Sequence, residues 1–529
     1  MDELPLELAV DILSRLTNSD DLARCRAVSK TFNSIARQVR IVNLICTRSR
    51  FLKSRRLLPE SEIITTPFKA IFRKLVSDSR DLQSVSIGVE KALGGLQFID
   101  LEEDESDDLY LTDVNFVQEW LPNVCGNLEI LSISDFWIQS CWRRSGVLAL
   151  ISSNCSSLVE LELKNAWLSV EGLTEMPNLR SLTLEFIRID DENLDKINSC
   201  FPFLQVLNLI GVGGLKEPKI HLLHLRACHW TVSNAPLSLA ISAPNLVELT
   251  LKCVKPKGLV LKTPKLAKFQ LLLEEANDVS FSEFQDLGTL ELVSPDINRL
   301  INCIPHFGNT VRKLTVDSFK SERAKLGLET LLEAFPHIVS LGLGPGCWSE
   351  MESCLEKGGP KHRSRKSKLR EIKAHIQTRD VGVTVSFIGY IIENCSGLTD
   401  MRLLKHDHGV RSKLIRTCTK CHPGVRWKWG MWGGFNPNNP FGSQQFQVAG
   451  EDIYEWKSRE NVQSNVLSIK HKEATSRSIT TSGLSKGRMP THDRLFRWNI
   501  IQNSTCVICN EEEESHDHLF FRYRFSAET

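Results

Sequence analysis

Cys506 and Cys509, in "CVIC", are followed by His516 and His518 in "ESHDH". Two thiolates on one turn with two imidazoles shortly after them are the beginnings of a zinc site, because zinc is held tetrahedrally by sulfur and nitrogen donors. No cysteine follows, so four-coordination would take all four of these residues. A second pair, in "CTKCH" at 418–422, has the spacing of covalent c-type haem attachment. Haem attachment needs an exported, oxidising route, and the chain opens Met-Asp-Glu, acidic where an export signal is basic. A metal there would need two more ligands, and only His422 is close, so these thiols read as structural. No nucleophile elbow and no phosphate loop is present, and nothing singles out a Cys–His pair. The expectation is a protein that works by binding and is not an enzyme.

The elements that would position such residues come from a chain of 529 residues, long enough for two to four domains unless a repeat stretches one of them. Lys and Arg total 65 against 64 Asp and Glu, a net charge of +1. That balance argues against a general nucleic-acid binder, which is usually strongly basic. Every apolar run is broken well before the roughly 18 residues of a membrane span, so no membrane is expected as a partner. The 16 cysteines are then expected as free thiols in a reducing compartment, the nucleus and/or the cytoplasm.

At the front, Leu4, Leu8, Ile12 and Leu16 recur every four residues, with Leu6, Val10 and Leu13 beside them. This is a broad apolar helix face. Pro5 suits the first turn, where its missing N–H is not needed. Asn18 and Ser19 before Asp20 and Asp21 read as the cap of a second helix. Leu22, Cys25, Val28, Phe32, Ile35 and Ala36 continue the pattern, giving three short helices. A unit this small cannot bury its own apolar surface. The cover must come from the rest of the chain or from another protein.

In sequence order, Leu4-Pro5, Glu7-Leu8, Ile12-Leu13, Leu16, Asp21-Leu22, Cys25, Val28-Ser29 and Phe32 resemble an F-box. The resemblance implies docking on a Skp1-type adaptor and, through it, on a cullin-RING ubiquitin ligase. Leu4, Pro5, Leu8, Ile12, Leu13, Leu16, Leu22, Cys25, Val28 and Phe32 would make the contact. Each leucine buried there would contribute about 1.5–3 kcal/mol. Phe32 stands where many F-boxes carry Trp.

From about residue 82 a period follows. Leu-x-x-Leu-x-Leu reads "LEILSI" at 128, "LVELEL" at 158, "LRSLTL" at 179, "LQVLNL" at 204, "LVELTL" at 246, "LAKFQL" at 266, "LGTLEL" at 287, "VRKLTV" at 311 and "IVSLGL" at 338. Looser copies stand at 82, 369 and 398, and "LLHLRA" at 222 fills one gap. Pro lies two residues before the first apolar position at 177, 202, 244, 264 and 336, and Cys three before it at 125, 155 and 395. The proline should stop the preceding element and lead extended into a strand. Alternation within each copy predicts a short strand, with room for a helix or turn before the next. Stacked, these units predict a leucine-rich-repeat solenoid with a parallel sheet on its concave face. Glu162, Lys164, Thr183, Glu185, Thr250 and Lys252 would point outward there, as candidates for holding a target protein. The ninth position, Asn or Cys in stricter repeats, holds Phe136, Ala166, Ile187, Val212 and Val254.

The runs "LEEDESDD" (101–108) and "KHRSRKSK" (361–368) read as solvated insert loops, the second with a nuclear import signal as its alternative. "PGVRWKWGMWGGFNPNNPFG" reads as an irregular end cap. From 486 on, Pro490-Thr491, Asp493-Arg494-Leu495, Trp498, the Cys506–Cys509 pair, Glu514-Ser515 and His518-Leu519-Phe520-Phe521 resemble the zinc-binding module of plant retroelement reverse transcriptases. That family places a last Cys where Tyr523 stands. The expected class is α/β: a three-helix F-box at 1–45, a helical linker at 46–81, leucine-rich repeats with an end cap at 82–430, an irregular linker at 431–485 and a zinc-binding-like segment at 486–529. The order resembles plant F-box/LRR-repeat proteins, which implies a substrate-recognition subunit of a ubiquitin ligase, with no required cofactor beyond zinc in the tail. Two alternatives stand beside it: a repeat scaffold without ligase coupling, and a retroelement-derived, nucleic-acid-associated fusion.

Overall fold

Each Leu-x-x-Leu-x-Leu copy becomes a strand that begins two residues after its first leucine. The computed structural model describes residues 6–14, 16, 19–54, 68–79, 81–90, 108–137, 139–231, 238–253, 256–273, 278–281, 283–302, 307–318, 326–356, 368–376, 380–405, 411–431 and 454–455. Among them, sixteen strands form one sheet in which spatial order follows chain order. The first is β1 (Ile41–Cys46), and the series runs through Ser84–Val89, Ile130–Ser134, Glu160–Lys164, Ser181–Glu185, Val206–Ile210, Ala227–Thr231 and Glu248–Cys253. It continues through Lys268–Leu273, Thr289–Val293, Lys313–Asp317, Ser340–Leu343, Glu371–Ile376, Asp400–Lys405 and Arg426–Met431. All these pairings are parallel; Tyr454–Glu455 closes the edge antiparallel.

The alternation works as a parallel solenoid requires. Leu158, Leu161, Leu163, Leu179, Leu182 and Leu184 are all buried, and equivalent residues of every repeat join one continuous core. Residues between them are half-buried on the opposite face. The Pro and Cys signals mark one and the same turn. The first apolar N–H of a repeat donates to the carbonyl three residues back, as Leu158 to Cys155, Leu179 to Met176, Leu204 to Phe201 and Leu266 to Thr263. Cysteine takes the first corner of that turn and proline the second, where its fixed φ is already right.

What packs behind the sheet follows repeat length. Leu204, Leu225, Leu246, Leu266 and Leu287 stand 20 or 21 residues apart, too close for a strand, two turns and a helix. Those repeats carry a second parallel sheet of Lys219–His221, Ser238–Ser242, Gly258–Lys262 and Asp278–Phe281. Longer repeats carry helices, such as Asp191–Cys200, Pro345–Glu356 and Val381–Asn394. The ninth-position side chains Phe136, Ala166, Ile187 and Val212 are buried, so an apolar stack stands where stricter repeats have an Asn ladder. The backbone closes these turns itself: Arg188 N–H donates to the Ala166 carbonyl and Gly213 N–H to that of Ile187 (both 2.9 Å).

Three expectations are corrected. The copy at 222 is out of phase: the strand is Ala227–Thr231, carried by Leu225, Cys228 and Trp230. The Trp-rich stretch is not irregular throughout, since Arg426–Met431 pairs in register with Asp400–Lys405. The sheet also begins at β1, whose Val42 and Leu44 are core residues, so 46–81 connects two strands of the solenoid and does not precede it.

Three helices lead into β1: α1 (Leu6–Ser14), α2 (Ser19–Val28) and α3 (Lys30–Ile35). Ser29 caps α3 by accepting from Phe32 N–H at 3.1 Å. Ser19, expected as a cap, instead accepts from Asn43 N–H of β1 at 2.8 Å and so fastens α2 to the first strand. Arg26 of α2 pairs with Asp78 across 52 residues of chain. Leu13, Leu22, Ile35 and Val39 belong to the same core as Val42 and Leu44. The helical unit is packed on the first repeat.

Candidate docking face and recognition surface

The ten residues expected to touch an adaptor divide by burial. Leu8 and Ile12, one turn apart on α1, are 51% and 52% exposed, and Val28 at the end of α2 is 73% exposed. Leu13 and Leu22 are 4% and 2% exposed. That is a correction: these two leucines join the helices to the core and have no surface to offer. Leu16, Cys25 and Phe32 are half-buried against that core. Leu4 and Pro5 lie outside the described residues. An open cleft of about 870 Å³ separates α1, at Glu7, Val10 and Asp11, from Arg40, Gln83 and Glu129 at the starts of the first strands. Leu8 and Ile12 are not among its walls.

The six candidate target-binding residues all stand half-buried on the open face of the sheet. Register places Glu162 beside Thr183 and Lys164 beside Glu185. Ser132 Oγ donates to Glu162 at 2.6 Å, and Lys164 Nζ reaches both Glu162 and Glu185 at 2.9 Å. Burial pulls the Lys164 pKa down, but its two carboxylates outweigh that and hold it above the ordinary value. Asn208 Nδ2 donates to Thr183 Oγ1 (3.0 Å), and Thr250 Oγ1 to Gln270 Oε1 (3.3 Å). Further along, burial raises the Glu291 carboxyl despite Gln270, Lys252 and Lys313 around it. This half of the face is a polar ladder whose charges neutralise one another.

The last three parallel strands differ. Lys373 is the register partner of Arg402, and Arg402 of Lys428, so three cations stand side by side on the open face. Sequence reading missed this row. Its signal is the fifth letter of "LREIKA" and "LTDMRL" and the Lys of "RWKWG", but the third stands in a stretch that does not spell the repeat motif.

The cysteine motifs are structural where they are described. Cys418 is buried on the helix Arg411–Cys421, with its thiol pushed up to about 12 by burial and by Cys421. The twelve cysteines whose side chains are described are free thiols, and among the described residues no cluster of three or more His, Cys, Asp or Glu is placed to hold a metal. None of their helices is long and apolar enough to cross a membrane. Cys506, Cys509, His516 and His518 lie outside the described residues. By donor chemistry alone they make a complete set for one tetrahedral zinc.

Residues 1–47 match the F-box-like family, and residues 452–529 match the family described as zinc-binding in reverse transcriptase. An F-box/LRR-repeat protein of Arabidopsis thaliana is 62% identical over 443 residues, which cover 82% of this chain and 98% of that protein. An F-box protein of the same plant is 26% identical over 233 residues, 43% of this chain and 48% of the relative. The chain belongs to the F-box/LRR-repeat proteins.

Proposed function

We propose that this protein is a substrate-recognition subunit of a Skp1–cullin–F-box ubiquitin ligase. The observation that carries the reading is the split of the F-box leucines. One set is spent on the core, and Leu8, Ile12 and Val28 remain exposed on a module whose family role is docking. Exposed apolar side chains on a packed unit have a use when a partner covers them. The adaptor binds there, and the open face of the solenoid holds a target protein. The work is proximity: both bound at once, the target's concentration near the ubiquitin-carrying partner rises without any catalytic group from this chain. Zinc, if the tail takes it through Cys506, Cys509, His516 and His518, has no part in that recruitment. The nucleus and the cytoplasm both suit such a role.

The test is co-purification of the full chain with a recombinant Skp1-type adaptor. Leu8→Asp and Ile12→Asp are expected to abolish capture while leaving thermal unfolding within about 2 °C of the parent. Undiminished capture by both variants would sink the reading. A chain that captures no adaptor at all would leave a repeat scaffold without ligase coupling.

A further inference from the structure

From the cationic row Lys373–Arg402–Lys428 we infer that the C-terminal end of the open face binds an acidic peptide segment, a run of Asp and Glu carboxylates on the target. This rests on the reading of that face as the target surface and names the chemistry of what it holds. Like charges directly opposite one another across a sheet are unfavourable. Here two such pairings follow in succession, Lys373 with Arg402 and Arg402 with Lys428. The chain as a whole is almost neutral, so the row is a local segregation of charge.

The other half of the same face shows how a sheet relieves such a row when no ligand is needed. There Lys164 is clamped between Glu162 and Glu185, and Lys268 pairs with Glu248 at 2.6 Å. At the C-terminal end the edge strand sets Glu455 opposite Lys428, but neither Lys373 nor Arg402 has an acidic register neighbour. Asp400 pairs with Arg426 at 2.7 Å, and Glu371 accepts from Ser340 Oγ at 3.0 Å. Among the described residues no ion pair reaches Lys373, while Lys428 acts with Arg426 in lowering the Asp400 pKa. Burial and Lys373 together press the His375 pKa down to about 4, so the field there is positive without any charge from that imidazole.

A nucleic acid is the other polyanion to weigh. Proteins that track single strands interleave cations with aromatic platforms for the bases. The tryptophans beside this row, Trp427 and Trp429, are turned into the core, 3% and 4% exposed. Cations without a stacking surface suit carboxylates. Strands about 4.8 Å apart put the outer two cations about 10 Å apart, the length of three extended residues.

The experiment uses the full chain and a fluorescein-labelled peptide of about six alternating Asp and Glu residues, read by anisotropy. The peptide is expected to bind, and to weaken as salt rises from about 50 to about 300 mM. Lys373→Glu with Lys428→Glu is expected to cost at least about tenfold in Kd, and the milder Lys373→Gln with Lys428→Gln a smaller loss. Lys219→Gln with Lys262→Gln, exposed on the second sheet and away from the open face, should change Kd by less than about twofold. Three results would overturn the inference: binding no tighter than that of a Ser–Gly peptide, equal binding by the charge-reversed chain, or tighter, row-dependent binding of oligothymidylate. If any of these occurs while adaptor capture through Leu8 and Ile12 holds, the ligase reading stands and only the acidic partner falls.

Discussion

Leu8 and Leu13 sit five residues apart on the nine-residue helix α1 and meet opposite surroundings, one half in solvent and the other shut in the core that runs on into β1. The same helix therefore has one side for folding and one left over. Leu13→Ala is expected to destabilise the chain by about 2–5 kcal/mol, the usual cost of a vacated core leucine. Leu8→Ala should leave stability within about 0.5 kcal/mol and show its effect in adaptor capture. Urea unfolding and co-purification on the same two variants separate the roles. Equal stability losses would mean that α1 has no free side.

The division was only half legible in the sequence. A four-residue recurrence of leucines gives a helix and a face, but its width of seven apolar positions does not say which strip touches the chain and which is spare. For that reason Leu13 and Leu22 look like partner contacts in the sequence and prove to be core in the fold. The solenoid was far more legible, because Leu-x-x-Leu-x-Leu encodes both strand and inward side with each copy. It blurred where Cys228 and Trp230 replaced leucines, and where Trp427 and Trp429 did so again: bulky aromatics fill the same inward slots without spelling the motif. Cross-strand neighbours such as Lys373 and Arg402 were invisible, since they are 29 residues apart in sequence and meet only when the intervening repeat closes.

Phe186 and Gly211 occupy the same position in successive repeats, each the first residue past its strand, and both are left-handed, with φ of 53° and 62°. A Cβ added at Gly211 would stand 2.7 Å from the Phe186 ring. Gly211→Ala is therefore expected to cost about 1–3 kcal/mol, from backbone strain and from the collision. In a Phe186→Gly background only the strain remains, so the same substitution should cost less. The double-mutant cycle on unfolding free energies reads the difference, and additive costs would refute the contact.

Asp135 is buried and accepts from Leu111 N–H, Thr112 N–H and Thr112 Oγ1, closing the 108–113 segment onto the sheet. Burial nevertheless pushes its pKa up to about 7, and burial does the same at Asp317, which accepts from Ser318 and Gly346 N–H. A carboxyl whose folded pKa lies above its unfolded one binds protons more tightly when folded. Its contribution to stability is then fullest below the unfolded value near 4 and is lost as pH rises toward 7. The urea midpoint should fall between about pH 4.5 and about pH 7.5. Asp135→Asn removes one of the two groups and should flatten that slope. The variant should be less stable at both ends, because an amide NH₂ would face donors, at a cost of about 1–3 kcal/mol. An unchanged slope would assign the pH dependence elsewhere.

The tail is separable from the machinery just described. The Arabidopsis F-box/LRR-repeat relative is spanned over 98% of its length by 82% of this chain, so 18% of the chain has no counterpart there. The reverse-transcriptase zinc-binding match begins at 452, beyond the last parallel strand at Met431, and takes in only the antiparallel edge strand Tyr454–Glu455 of the sheet. A chain ending at Ser458, which keeps that edge strand, is expected to capture the adaptor and bind the acidic peptide as the full chain does. Metal analysis of the two should place any co-purifying zinc in the full chain alone, lost on Cys506→Ser with Cys509→Ser. Chelation should leave the unfolding temperature of the truncated chain within about 2 °C. A truncated chain that still carried stoichiometric zinc, or unfolded on chelation, would place the metal within the solenoid and overturn the separation.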